Sequence, residues 1–80
     1  MRLPRDLSGS ELVRALAVVG YAVTRQTGSH MRLTTTLRGE HHVTIPNHAP
    51  LRVGTLAALL AEVAAHLEIS RDALLERIFG

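Results

Sequence analysis

Two glycines set between runs of β-forming residues, Gly28 and Gly39, constrain this chain more than any other feature. Strand side chains alternate with a period of two, so the number of residues in each reversal decides which of them share a face. The β-forming runs lie at about 21–26, 29–36 and 40–45. If Gln26-Thr27-Gly28 is a three-residue loop with Gly28 in the left-handed region, Val23 faces Met31 and Tyr21 faces Leu33. Thr24 then pairs with His30, and Ala22 with Arg32. The same device at Leu37-Arg38-Gly39 pairs Leu33 with Val43 and Met31 with Ile45. A two-residue loop at either place would set core residues against solvent ones. A three-stranded antiparallel meander with one apolar face is therefore predicted, with Thr24, His30, Arg32, Thr34, His42 and Thr44 on the other face.

The flanks of this meander read as helices. Met1 to Leu7, with Pro4 and two arginines, shows no period and reads as a leading arm. Ser8-Gly9-Ser10-Glu11 has the spacing of a capping box, and Leu12, Val13, Leu16, Ala17 and Val19 recur at three and four. That predicts a first helix from Gly9 to about Val19, stopped by Gly20 in a left-handed conformation. Pro46 ends the third run, and Asn47 to Val53 reads as a loop across the end of the sheet. Thr55 is the expected N-cap of a second helix with Leu56, Leu59, Leu60, Val63 and Leu67 as its stripe; this helix is alanine-rich and almost uncharged. Ser70 is the expected cap of a last helix from Arg71 to about Phe79.

Helix, three strands, helix, helix, with the helices on the apolar face, is an α+β arrangement. A single domain over 1–80 is expected, with its core at about 5–67 and an extension at 68–80. Hydrophobic residues make up 46% of the chain, yet only one Tyr and one Phe are among them, so Leu, Val, Ile and Ala must build the core. There is no cysteine, which removes disulfides, thiolate metal sites and a thiol nucleophile and suits a reducing compartment. No apolar run reaches the roughly 18 residues of a membrane span and no leader pattern is present, so a soluble, cytoplasmic protein is expected. Residues 1–52 hold seven Arg against three acids, whereas residues 53–80 hold two Arg against four. A polyanion should therefore meet the N-terminal two thirds.

His30 is the sharpest candidate for chemistry, just past a glycine turn and in line with Arg32. A neutral imidazole there could take a proton from a ribose 2′-hydroxyl while the guanidinium of Arg32 held the phosphate under attack, and no metal would be needed. The ordinary reading of the same residue is a surface histidine on a strand. His42 is predicted to pair with Thr34, four residues along from His30, or roughly 13 Å at about 3.3 Å per residue. Two histidines so far apart cannot act on one phosphate, which leaves His42 as a surface residue or an RNA contact. His48 follows Pro46, the expected partner of His30, so its loop can bring it close enough to serve as an assisting acid or to orient substrate; loop packing explains it equally. His41, His42 and His48 do not make a metal site on this reading, since adjacent strand residues point to opposite faces. Ser29 directly precedes His30, so alternation should point the two side chains apart and disfavours a serine hydrolase.

Taken together, Ser8 to Gly20, Gly28-Ser29-His30, Val43-Thr44-Ile45-Pro46-Asn47-His48 and Gly54-Thr55-Leu56 resemble the HicA family of mRNA interferase toxins over about residues 5–66. The resemblance implies a fold like a double-stranded-RNA-binding domain and cleavage of mRNA without metal or other cofactor. It also implies neutralisation by a HicB-like antitoxin that covers the active site. The catalytic histidine of that family falls on His30, and the histidine after the third-strand proline falls on His48. Arg25, Ser29, Arg32, Thr34 and His42 are then the expected RNA contacts. Two other functions fit the same residues: a non-catalytic module that binds RNA by shape and phosphate contact, and an interaction protein held through a sheet edge or the last helix.

Overall fold

In the computed structural model, which describes residues 2–80, the order is α1 (Gly9–Ala17), β1 (Ala22–Gln26), β2 (His30–Thr35), β3 (His41–Pro46), α2 (Val53–Leu67) and α3 (Arg71–Phe79). The leading arm is described from Arg2 onward, so Met1 lies outside the described residues. The three strands form one antiparallel sheet in the order β1-β2-β3. The α+β arrangement expected from the sequence is present.

Local signals account for most of the helix ends. The Ser8 hydroxyl accepts from the Glu11 amide and the Glu11 carboxylate accepts from the Ser8 amide, both at 3.0 Å, which closes the capping box and starts α1. These two bonds to Ser8, backbone first, lower the carboxyl pKa of Glu11. Past the other end Gly20 takes φ +94°, and the Tyr21 amide returns to the Leu16 carbonyl at 3.2 Å. Ser70 caps α3 by accepting from the Ala73 amide. The second helix departs from expectation. It begins at Val53, with Arg52 as an N-cap that makes no side-chain bond, rather than at Thr55. Leu51 explains the early start: its side chain is buried and its amide donates to the Leu7 carbonyl at 2.7 Å, so the chain is pinned one residue before Arg52.

The second hairpin has the predicted register. Leu33 pairs with Val43 and Met31 with Ile45, with Gly39 at φ +97° in the turn. The first hairpin does not. Val23 pairs with Leu33, Gln26 with Met31 and Arg25 with Arg32, with a bulge at Thr24. Gly28 is not in the left-handed region. The Thr27 amide donates to the His30 carbonyl at 2.9 Å and the Thr27 hydroxyl accepts from the His30 amide at 3.2 Å. Only Gly28 and Ser29 therefore remain in the loop. The extra residue at Thr24 resets the alternation, which brings Ala22 opposite Thr34 and lets Tyr21 return to the core side. Val23, on the free edge of the sheet, stays 42% exposed.

One apolar cluster joins every layer: Leu12 and Leu16 of α1, Met31 and Leu33 of β2, Val43 and Ile45 of β3, Leu56, Leu60 and Val63 of α2, and Leu74, Leu75 and Ile78 of α3. Full burial of such a side chain contributes about 1.5–3 kcal/mol, so this aliphatic cluster does the work that aromatic residues share in other cores. No single helix among the described residues is long and apolar enough to cross a membrane.

Candidate functional site

The outer face of the sheet, away from the helices, carries the polar side chains. At its one end the Gly28-Ser29 turn delivers His30 into β2, exposed to solvent. This turn is clamped from the β3 side. The Asn47 amide donates to the Ser29 carbonyl at 2.9 Å, and its side-chain amide reaches the Gly28 carbonyl at 3.4 Å. Pro46 pairs opposite His30, as predicted. The clamp is backed by α1: the Gly9 amide donates to the His48 carbonyl at 2.9 Å, and a Cβ at Gly9 would run into the Pro46 carbonyl oxygen.

The Ser29 hydroxyl lies 3.0 Å from Nδ1 of His30. This corrects the expectation that the two side chains point apart. Ser29 sits in the turn, outside the strand that begins at His30, so strand alternation does not govern it. With Nδ1 held by Ser29, Nε2 is left for solvent or substrate. A base at Nε2 requires the tautomer in which Nδ1–H donates to the serine oxygen.

Two residues along the same strand, Arg32 stands opposite Arg25 on β1. Like charges directly opposite each other are destabilising, and among the described residues neither arginine is in an ion pair. An anion placed between them would relieve that repulsion. Sequence reasoning placed Ala22 beside Arg32 and so missed the pair; the bulge at Thr24 is what produces it. His48 is exposed beyond the turn, and among the described residues its imidazole has no hydrogen-bond partner.

His42 is differently placed. Its Nε2 lies 2.8 Å from Glu40 Oε2 and its Nδ1 2.7 Å from the Thr34 hydroxyl, which in turn lies 2.8 Å from the Thr24 hydroxyl. The carboxylate fixes the proton of a neutral His42 on Nε2, so Thr34 donates to Nδ1. Both ring nitrogens are thus occupied, in contrast to His30.

The inner face holds a cluster that the sequence did not announce. The Tyr21 hydroxyl meets His41 Nδ1 at 2.8 Å, and His41 Nε2 meets Glu62 Oε2 at 3.2 Å. The His66 ring stacks on His41 at 4.4 Å and 12°, and its Nε2 donates to the carbonyls of Leu37 and Gly39 at 2.8 and 3.1 Å. Burial, followed by the charge of Glu62, raises the Tyr21 hydroxyl from 10.0 to about 12. Tyr21 therefore stays protonated at neutral pH and donates to His41. The spacing of Glu62 and His66, four apart on a helix, was the one available signal, and it needed a strand partner to become a site. Among the described residues no three His, Asp or Glu side chains gather where they could hold one metal ion.

Comparison with known proteins adds one positive finding. The family model described as HicA toxin of bacterial toxin-antitoxin matches residues 9–64. No curated protein and no solved structure matches. The matched stretch runs from the first residue of α1, through the whole sheet and the Gly28-Ser29-His30 turn, into the last turns of α2, and leaves outside it the arm, the end of α2 and everything after it, α3 included. The chain belongs to the HicA family of toxins of bacterial toxin-antitoxin systems.

Proposed function

We propose that the chain is an endoribonuclease that cleaves mRNA without a metal ion, with His30 as its catalytic group, and that a HicB-like antitoxin restrains it. Family membership supports a toxin with a cognate antitoxin. The observation that carries the nuclease reading is the unneutralised Arg25–Arg32 pair beside an imidazole with one nitrogen free.

On this reading Nε2 of His30 takes the proton of a ribose 2′-hydroxyl, and the 2′-oxygen attacks the adjacent phosphorus. The P–O5′ bond breaks, giving a 2′,3′-cyclic phosphate and a 5′-hydroxyl that receives a proton from His48 or water. Arg32 and Arg25 hold the phosphoryl oxygens as charge builds on them. Ser29 holds the His30 ring, while Thr34 and His42 line the path of the strand further along the sheet.

The test is cleavage of a defined single-stranded mRNA by purified protein in EDTA, beside His30→Ala, with circular dichroism as the check on folding. Loss of cutting in the folded variant, by at least about a hundredfold, is the expected result. Cutting at the wild-type rate by His30→Ala would remove His30 from the mechanism. An inactive wild type would leave the fold to an interaction role through a protein partner, since an α2 with neither Arg nor Lys offers few phosphate contacts for RNA binding alone.

A further inference from the structure

The end of the molecule remote from His30 carries an apolar groove of about 480 Å³. Its walls include Val18 and Val19 at the end of α1, Leu37 and Arg38 in the β2–β3 loop, Ile69 just before α3 and Arg77 in the last turn of α3. Val18 is 67% exposed and Leu37 53%, so two large apolar side chains stand in water at the opening. Exposed apolar surface gathered around a concavity marks an interaction site more often than scattered surface leucines do.

The charge of the lining is one-sided. Arg38 and Arg77 contribute to it and no carboxylate does. The only ion pair of Arg38 among the described residues is with Glu68 at 3.0 Å, both side chains largely in solvent, and such a pair contributes little. Arg77 is in no ion pair among the described residues. An apolar floor with two guanidinium groups at its rim is complementary to an apolar segment that carries carboxylates, which arginine binds in a planar fork.

Location separates this groove from the site around His30. The β2–β3 loop follows the far end of β2, and His30 to Thr35 spans about 17 Å at about 3.3 Å per residue. Ile69 and Arg77 also lie beyond residue 64, where the family match ends, so the groove depends on α3 as well as on the matched part of the chain.

We propose that this groove docks an apolar, carboxylate-bearing segment of the cognate antitoxin, as an anchor remote from His30. The proposal rests on the toxin–antitoxin pairing and is independent of the nuclease chemistry.

Calorimetry of the purified cognate antitoxin against the full chain tests it, with Leu37→Glu and Arg77→Glu as groove variants. Val53→Glu, an equally exposed apolar position at the start of α2, serves as the control. Each groove variant should weaken binding by at least about tenfold while Val53→Glu stays within about threefold, with circular dichroism unchanged in all three. Wild-type affinity in both groove variants overturns the proposal while leaving the pairing intact. Self-association of the wild-type chain that the groove variants abolish gives the groove to a second copy and overturns it too. Absence of binding by the wild type would mean that the pairing itself has failed, a result visible without any variant.

Discussion

Ser29 and His30 are neighbours in sequence whose side chains meet, and that contact gives the imidazole a single free nitrogen. Arg25 and Arg32 stand on the two strands of one hairpin and meet through strand pairing. The two contacts predict different behaviour. Each arginine that neutralises one phosphate of a single strand contributes about −0.7 to the slope of log affinity against log salt. Arg25→Ala and Arg32→Ala should therefore each flatten that slope by about 0.7, and by about 1.4 together, in binding of a non-cleaved RNA measured between about 50 and 200 mM salt. Arg52→Ala, outside the sheet at the N-cap of α2, should leave the slope unchanged. A slope insensitive to Arg25 and Arg32 would take the phosphate away from this pair.

At the scale of elements, α1 and its docking against the Pro46–His48 segment decide how firmly the His30 turn is held. Two neighbouring substitutions separate the helix cap from that docking. Ser8→Ala removes one half of the capping box and should cost about 1 kcal/mol. Gly9→Ala leaves the box in place but drives a methyl into the Pro46 carbonyl, which belongs to backbone and cannot swing aside. It should cost about 1–3 kcal/mol by overpacking and also loosen the clamp on Ser29. Urea denaturation gives both values, and a Gly9→Ala protein as stable as wild type would show that α1 shifts freely against the sheet. The elements also differ in how far the sequence discloses them. The caps at Ser8 and Ser70 and the left-handed Gly20 and Gly39 act within four or five residues, so spacing alone reveals α1, α3 and the second hairpin. The first hairpin combines a two-residue turn with a bulge at Thr24, and the two irregularities offset each other in the hydrophobic pattern. Thr55 reads as a cap, but the tertiary anchor at Leu51 starts α2 earlier. For the same reason His30 and Arg32 were readable as one strand face, whereas Arg25 opposite Arg32, the Asn47 clamp and the Tyr21–His41–Glu62–His66 cluster depend on pairing and packing that no local signal encodes.

The whole molecule is tied across its layers by that last cluster, which links the chain entering β1, the start of β3, the body of α2 and the β2–β3 loop. Its pH response can be isolated because of an unusual composition: the nine cations are all arginine, there is one tyrosine, and there is neither lysine nor cysteine. Between about pH 9 and 12 Tyr21 is then the one side chain expected to titrate. Burial, with Glu62 second, raises its folded pKa from 10.0 to about 12, so the folded chain holds the phenolic proton after the unfolded chain has released it. Across that interval the unfolded state binds fewer protons than the folded one, and stability must fall as pH rises. The contribution is complete below about pH 10 and is lost by about pH 12. Tyr21→Phe keeps the ring in the core but removes both the hydrogen bond to His41 and the titrating group. It should be less stable by about 1 kcal/mol at pH 8, where the bond counts, and should lose less stability than wild type between pH 8 and 11. Denaturant midpoints at the two pH values check this. Equal alkaline losses in the two proteins would mean that the phenol ionises as readily folded as unfolded, and that the latch between sheet and α2 does not depend on its proton.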